Sequence, residues 1–269
     1  MTSGAPGRLG GRSMDAGRKR YCVITPYYKE DAAMLNRCMD SVARQTVPVE
    51  HILVADGFPQ DWLSTKPVRH IILDRSHSDF GNLGRGIGAM VAIAEKYSGI
   101  AFLDADNWYD SNHVERCLAT LDQNPGAIFA AAQRRFVRPD GSVMTKVRPA
   151  EVPYDEHIDT NCYFFLPRAY FLLHHWCTMP QELAASGDHL FYLLLYHRVP
   201  KPAVVALPTV NYLCMIEQVY RQHGETPPPG ARPTLNWHDR QAWLNSLSTE
   251  DLLLVKLLTG LDLKKRPAA

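Results

Sequence analysis

The chain has no Cys-x-x-Cys pair and no short cysteine repeat; its six cysteines stand apart at Cys22, Cys38, Cys117, Cys162, Cys177 and Cys214. That spacing excludes a zinc ribbon and a small disulfide scaffold, and reduced thiols in a cytoplasmic enzyme are the plainer reading. Neither sign of charge is in excess. Lys and Arg number 29 against 28 Asp and Glu, a formal net charge of +1, so no global field draws the chain to nucleic acid. The longest basic runs, Arg18-Lys19-Arg20 and Lys264-Lys265-Arg266, sit at the two ends. No apolar run approaches the roughly 20 residues that cross a bilayer. Residues 1–20 are rich in Gly, Ser and Arg and lack an apolar h-region, so they read as a flexible leader, with Met14 as an alternative start. There is no internal repeat.

What is present is ample for a core: 269 residues, 46% of them hydrophobic. The first half alternates strand and helix signals. Strands are expected at Tyr21–Thr25, closed by Pro26, at His51–Ala55, at His70–Leu73 and at Ile100–Leu103. Between them Met34, Leu35, Cys38, Met39, Val42 and Ala43, and then Ile87, Met90, Val91 and Ala94, recur at helical spacing. Ser111 is positioned to cap a helix carrying Val114, Leu118 and Leu121. Apolar strands separated by such helices predict an α/β fold with a mostly parallel sheet covered on both faces. Ligands bind such sheets at the carboxyl ends of the strands, where Thr25, Tyr27, Asp56, Asp104 and Asp106 gather.

The second half is less regular. Ile128–Val147 predicts two strands joined by the Asp140-Gly141 turn, and Cys162–Leu166 another, stopped by Pro167. Leu190–Tyr196 is an apolar helix preceded by Asp188, and Pro208 separates short strands at Val204–Leu207 and Thr209–Leu213. Thr226–Pro233 is Pro- and Gly-rich and predicts a mobile loop. Ser248 with Asp251 forms a capping box for a helix bearing Leu252, Val255, Leu258 and Leu261.

The strongest chemical signal is Leu103-Asp104-Ala105-Asp106-Asn107 after the fourth strand. Two carboxylates one residue apart can hold a divalent cation together with substrate phosphates. The same pattern also suits an ordinary turn. Asp188 before an apolar helix would serve as its N-cap, and Asp56 before Gly57 would initiate a turn. Arg85 near a helix start is unfavourably placed unless an anion meets it. His223 in a polar loop needs no role. Asp159, Thr160 and Asn161 precede a strand and could meet an acceptor. Tyr163, Phe164, Phe165, Tyr170, Phe171 and Trp176 read mostly as core, with room for one or two to stack on a sugar ring.

In order along the chain, several segments resemble family 2 glycosyltransferases with the GT-A fold. They are Val23-Ile24-Thr25-Pro26-Tyr27-Tyr28, Ser41-Val42-Ala43-Arg44-Gln45-Thr46, Ile52-Leu53-Val54-Ala55-Asp56-Gly57, Gly84-Arg85-Gly86-Ile87-Gly88, Leu103-Asp104-Ala105-Asp106, Gly187-Asp188-His189-Leu190 and Tyr220-Arg221-Gln222-His223. The resemblance implies a three-layer α/β/α sandwich over residues 21–232, after the leader and before a helical appendage at 233–269. It implies an inverting transfer of sugar from a nucleotide-diphosphate donor to an acceptor hydroxyl, assisted by Mn2+ or Mg2+. It places Thr25, Pro26 and Tyr27 at the base and ribose, Asp56 on the nucleoside, Arg85 by the diphosphate and Asp104 at the ribose and metal–diphosphate. Asp106 and His223 become metal-site residues and Asp188 the general base. A saccharide or lipid-linked saccharide would be the acceptor, in surface polysaccharide or glycan synthesis.

Two positions depart from the family pattern. Ala55 stands where an acid commonly recognises the base, and Gly187 where a Glu precedes the catalytic Asp. Two other functions remain in view. A sugar nucleotidyltransferase would need a Gly-rich basic phosphate loop after the first strand, where Pro26-Tyr27-Tyr28-Lys29-Glu30 stands. A non-catalytic sugar-nucleotide-binding protein would bind without turnover. The leucine-rich last helix with Lys264, Lys265 and Arg266 either packs on the domain or rests on the anionic inner face of a membrane.

Overall fold

The computed structural model describes residues 19–147, 157–233 and 237–264. Most of the expected leader, and Lys265 and Arg266, lie outside the described residues. The chain runs β1 (Tyr21–Tyr27), α1 (Ala32–Ala43), β2 (Glu50–Asp56), β3 (Arg69–Leu73), α2 (Asn82–Ala94), β4 (Gly99–Phe102), β5 (Trp108–Tyr109), α3 (His113–Gln123), β6 (Phe129–Val137) and β7 (Tyr163–Phe165). It continues through α4 (Gly187–Arg198), β8 (Ala203–Leu213), α5 (Glu217–Gln222), α6 (Trp237–Ser246) and α7 (Thr249–Thr259), with short 3-10 turns between several of these.

One sheet has the strand order β3-β2-β1-β4-β7-β6-β8-β5. The first four strands in that order are mutually parallel. β7 then runs antiparallel to both β4 and β6, β8 is parallel to β6, and β5 closes the far edge antiparallel. Successive strand residues point to opposite faces, and Cys22, Val23, Ile24 and Thr25 are all wholly buried. Both faces of β1 are therefore covered, as parallel strands require.

Helix α2 packs closely on the sheet through Gly84 and Gly88, and on the Cys177 backbone through Gly86, because none of the three carries a Cβ. A Cβ at Gly84 would lie 2.9 Å from the Pro26 ring, at Gly88 2.5 Å from Ile24, and at Gly86 2.7 Å from the backbone nitrogen of Cys177. Three helical glycines each cost about 0.5–1 kcal/mol of helix propensity. The close approach they allow carries Arg85 into the interior, where it is 7% exposed.

The second half corrects two expectations. The Asp140-Gly141 turn forms, with Arg138 donating to Ser142 at 2.8 Å, but among the described residues the return leg makes a single bridge, Val143 to Val137, and no second strand. β8 is continuous through Pro208. The proline sits opposite Gln133 between two register shifts, a bulge where its missing N–H breaks no ladder bond. The segment Thr226–Pro233 is tied down at its end, Arg232 donating to Met215 at 2.7 Å and accepting from Glu217 at 3.0 Å.

At the start of α3 the N-cap position is Asn112, one residue beyond Ser111. The capping box of α7 is present, with Ser248 accepting from the Asp251 backbone at 3.0 Å. The tail joins the main core through Leu244, Val255 and Leu261. Of the flagged aromatics only Phe171 is strongly exposed, at 61%. No helix among the described residues is long and apolar enough to cross a membrane.

The glycine packing is testable by denaturant unfolding. Gly86→Ala should cost about 1–3 kcal/mol, the usual scale of overpacking against an unyielding neighbour. Gly126→Ala, with no atom within 4 Å of the added Cβ, should stay within about 0.5 kcal/mol.

Candidate active site

The site is built at the carboxyl end of β4. Leu103 still donates to the Ile24 carbonyl, at 3.0 Å, and the chain then turns, Asn107 donating to the Asp104 carbonyl at 3.0 Å. Ala105 between the acids is 2% exposed in a cluster with Tyr27, Leu35 and Leu63, so the turn is anchored by its apolar member. The two carboxylates stay partly accessible, Asp104 at 28% and Asp106 at 27%.

Asp104 is held on both oxygens. Arg85 pairs with Oδ1, and the Asn161 amide donates to Oδ2 at 3.0 Å. Asn161 also donates to Asp159 at 2.6 Å, and Asp159 pairs with Arg134. The Arg134 guanidinium lies 4.9 Å over Phe136 and 4.8 Å over Tyr212. Asp159 and Asn161, flagged as acceptor-loop residues, are thus the buried supports of Asp104. Arg85 further donates to the Phe80 carbonyl at 2.8 Å, while its buried Nε has no partner.

Asp106 has less support. Its nearest cation is Arg232, at 3.9 Å. Burial, and then the charge of Asp104, push its carboxyl up to about 7. Arg232 only partly offsets this, and paired oxygen donors are what Mn2+ and Mg2+ prefer, so these residues fit a divalent cation.

Asp188 is in the first turn of α4, and the N-cap position is Ser186, which makes no side-chain cap bond, so Asp188 is not the N-cap read from sequence. Its Oδ1 accepts from the His189 backbone at 2.8 Å and lies 3.1 Å from His189 Nδ1. Its Oδ2 lies 3.1 Å from His157 Nε2, off the axis of a proper hydrogen bond. The two imidazoles stack with centroids 4.0 Å apart and planes 8° from parallel. Burial would raise the Asp188 carboxyl, but the two imidazoles outweigh it and hold it well below the usual carboxylate range. Ligand atoms of His157, Asp188 and His189 come within 4.8 Å of one another, a donor set that could hold a metal ion. With near-parallel rings, though, the in-plane lone pairs do not converge on one point. As they stand, the rings grip Asp188.

The remaining expected residues divide. Thr25 is wholly buried and shares a hydrogen bond of 2.8 Å with His51, so it does not line a pocket. Tyr27 is 2% exposed, its hydroxyl bonded to His70 at 2.8 Å and accepting from the Gln60 backbone at 3.1 Å. The exposed rings at the ends of β1 and β2 are instead Tyr28 and Phe58, edge to face at 4.8 Å with Lys29 over both. Pro26 is buried against Gly81 and Gly84. Asp56 accepts from the His77 backbone and ring, both at 2.9 Å, and from Ser76 at 3.2 Å. Gly57 beside it has φ +78° and no room for a Cβ, so the turn reading of this pair is realised as well.

His223 does not join the acids. Its Nδ1 bonds the Val219 carbonyl at 2.8 Å, at the end of α5, and Arg232 is the side chain that faces Asp106. After β1, the Tyr28 N–H donates to Glu30 at 2.6 Å and Asp31 caps α1, so this turn is closed by acids and is no phosphate loop. Nothing in the local pattern marks His157 or Arg232; His189 stood beside Asp188 in plain view.

The family model for "Glycosyl transferase family 2" matches residues 22–177, more than half of the chain. The chain belongs to glycosyl transferase family 2. No curated protein matches it. Among solved structures, this family 2 chain is similar to Staphylococcus aureus TarS 1-349 in complex with UDP, with TM-score 0.54 and 16% identity, over 75% of this chain and 62% of that one. It is also similar to S. aureus TarS 1-349 in complex with UDP-GlcNAc, with TM-score 0.53 and 14% identity, over 89% and 79%. For the longer S. aureus TarS chain the values are 0.52 and 15%, over 87% and 45%. The chain thus spans less than two thirds of the length of the first of these. The fold is of the GT-A type.

Asp106 yields a pH test. Its folded-state pKa of about 7 lies above the ordinary 3.8, so its ionisation works against folding. That cost is absent well below 3.8, grows as pH rises from there toward 7 and is complete above it. Without added metal, Asp106→Asn should therefore be more stable than the parent at pH 8, with the advantage shrinking as pH falls toward the ordinary carboxylate range, by urea unfolding.

Proposed function

We propose that the protein is an inverting nucleotide-sugar glycosyltransferase. The observation that carries this reading is Arg85, buried between two acidic centres. It pairs with Asp104 directly and lies within electrostatic reach of Asp188. A donor diphosphate at Asp104 and Asp106 and an acceptor at Asp188 would then meet across one short gap. Asp104 and Asp106 would hold Mn2+ or Mg2+, which when bound offsets the charge gathering on a leaving diphosphate. Attack from the Asp188 side, opposite the diphosphate, inverts the anomeric centre, with Asp188 supplying the base. Tyr28 and Phe58 offer the base a ring to stack on.

The TarS structures were determined with UDP and UDP-GlcNAc, which makes uridine donors the first to try. Selectivity for uracil should differ from the family's, however. Ala55 is wholly buried, leaving no room for the usual acid, and Asp56 is committed to the Ser76–His77 turn. The acceptor we propose is a saccharide or lipid-linked saccharide, in glycan or surface polysaccharide assembly, met by a protein in peripheral contact with a membrane.

Calorimetry with nucleoside diphosphates and nucleotide sugars, with and without Mn2+, tests the donor side. Mn2+ should tighten binding, and Asp106→Ala should abolish that gain. Tyr28→Ala should weaken donor binding by about 1 kcal/mol in either condition. A chain that binds no nucleotide under any of these conditions would overturn the reading. On the acceptor side, Asp188→Asn should slow transfer by roughly 10²–10⁴-fold with donor affinity intact. Transfer at the parental rate would remove Asp188 from the chemistry.

A further inference from the structure

The segment between β3 and α2 adopts a backbone that its residues do not favour. Ser78, Phe80 and Gly81 have φ of +52°, +59° and +79°. Left-handed backbone suits glycine, and for a bulky side chain it is a strained exception. Packing does not compensate at Phe80, which is 59% exposed. Neither the backbone nor the core therefore accounts for a phenyl ring here, and strain of this kind gathers where a ligand is held.

Both halves of the site hold this segment. At the strand ends, Ser76 donates to Asp56 at 3.2 Å, and Gly81 lies so close to Pro26 that a Cβ would stand 2.9 Å from the ring. The Phe80 carbonyl itself accepts from Arg85 Nη1 at 2.8 Å, so this residue is bonded to the central cation. On the other side, Gln181 donates to the Ser78 carbonyl at 3.0 Å, and Asn82 donates to the Ala184 carbonyl at 3.0 Å. Gln181 and Ala184 belong to the 3-10 turn Gln181–Ser186, which runs straight into α4 and Asp188.

We propose, resting on the glycosyltransferase reading, that Phe80 is the platform on which a pyranose ring of the acceptor saccharide stacks. A pyranose with equatorial hydroxyls has a flat face of axial C–H groups, and these meet the negative face of an aromatic ring. Its hydroxyls stay at the rim, free to reach a base. An open-chain polyol carries the same hydroxyls and has no such face. The acceptor sugar fits this place better than the donor's groups do. Tyr28 and Phe58 serve the donor base, whereas the Phe80 segment is tied to the turn that delivers Asp188. At Phe80 the left-handed backbone combines a carbonyl bonded to Arg85 with a ring left in solvent.

Saturation-transfer NMR on the full chain reads this contact without turnover, with methyl β-D-glucopyranoside as the probe and UDP bound. Transfer should be strongest to the axial protons that share one face of the glucoside, and sorbitol should receive none. Phe80→Gly should weaken glucoside binding by about three- to tenfold, the scale of one aromatic stack, with UDP affinity unchanged. Phe80→Trp should retain the glucoside. Because glycine suits the left-handed backbone, Phe80→Gly should not lower Tm. Should that variant fail to fold, Phe80→Asn, which also tolerates this backbone, takes its place. A wild type that shows no glucoside transfer, or transfer that sorbitol matches or that survives Phe80→Gly in full, overturns the platform. Loss of the glucoside signal when UDP-GlcNAc replaces UDP assigns the ring to the donor sugar and overturns the acceptor role. In each of these cases UDP binding leaves the glycosyltransferase reading standing. A protein that binds neither UDP nor UDP-GlcNAc overturns both.

Discussion

Asp104 and Asp106 are forced together at the end of a buried strand, and the rest of the site is arranged around that repulsion. Asp104 is stabilised by Arg85 and by Asn161, which passes the load to Asp159 and Arg134. A buried arginine of this kind is tolerated only with its charge paired. It reaches its partner only because α2 lies close to β1. Gly84 and Gly88 let the helix onto β1 and Gly86 lets Cys177 pack against it, so three residues without side chains set the position of the site's central cation. Asp106 is left with little compensation, and the mismatch is stored as a carboxyl that ionises reluctantly.

Across Arg85 the protein treats a third acid in the opposite way. Two imidazoles and a backbone N–H converge on Asp188 and lock in its charge. Environments that push like groups in opposite directions are how one site assigns them separate tasks. A reluctant carboxylate is suited to receiving a cation, because ion binding relieves its own strain.

Much of the fold was legible because apolar runs in parallel strands are continuous and the helices between them are amphipathic. β1, β2, β3 and β4 fall close to their expected bounds for that reason. The second half was harder, since its elements are decided by pairing across the sheet. Nothing local reveals that Pro208 sits on a bulge opposite Gln133, or that the strand before Asp140-Gly141 has no lasting partner after it. In the site, acids at strand ends were visible as a motif, but side-chain direction was not. Tyr27 and Tyr28 differ by one residue, but the first is the buried last residue of β1 and the second stands past the strand end, exposed. Asn161 and His157 meet Asp104 and Asp188 from far along the chain, a distance that no spacing rule encodes.

The departures from the family pattern gain a physical sense in this light. At position 187 a Cβ would lie 2.7 Å from the Asn82 amide, which itself donates to the Ala184 carbonyl at 3.0 Å. A glutamate there would have to displace that contact and part of the wall that supports Arg85, because Asn82 also faces the guanidinium at 3.4 Å. Where the family has an acid before its aspartate, this chain has an imidazole after it. On a helix the two neighbours of Asp188 project in different directions, so the second ionisable group leaves the crowded side against α2. It stands instead on the open side, where His189 remains substantially exposed and stacked on His157. Glycine at position 187 thus preserves the packing that holds Arg85.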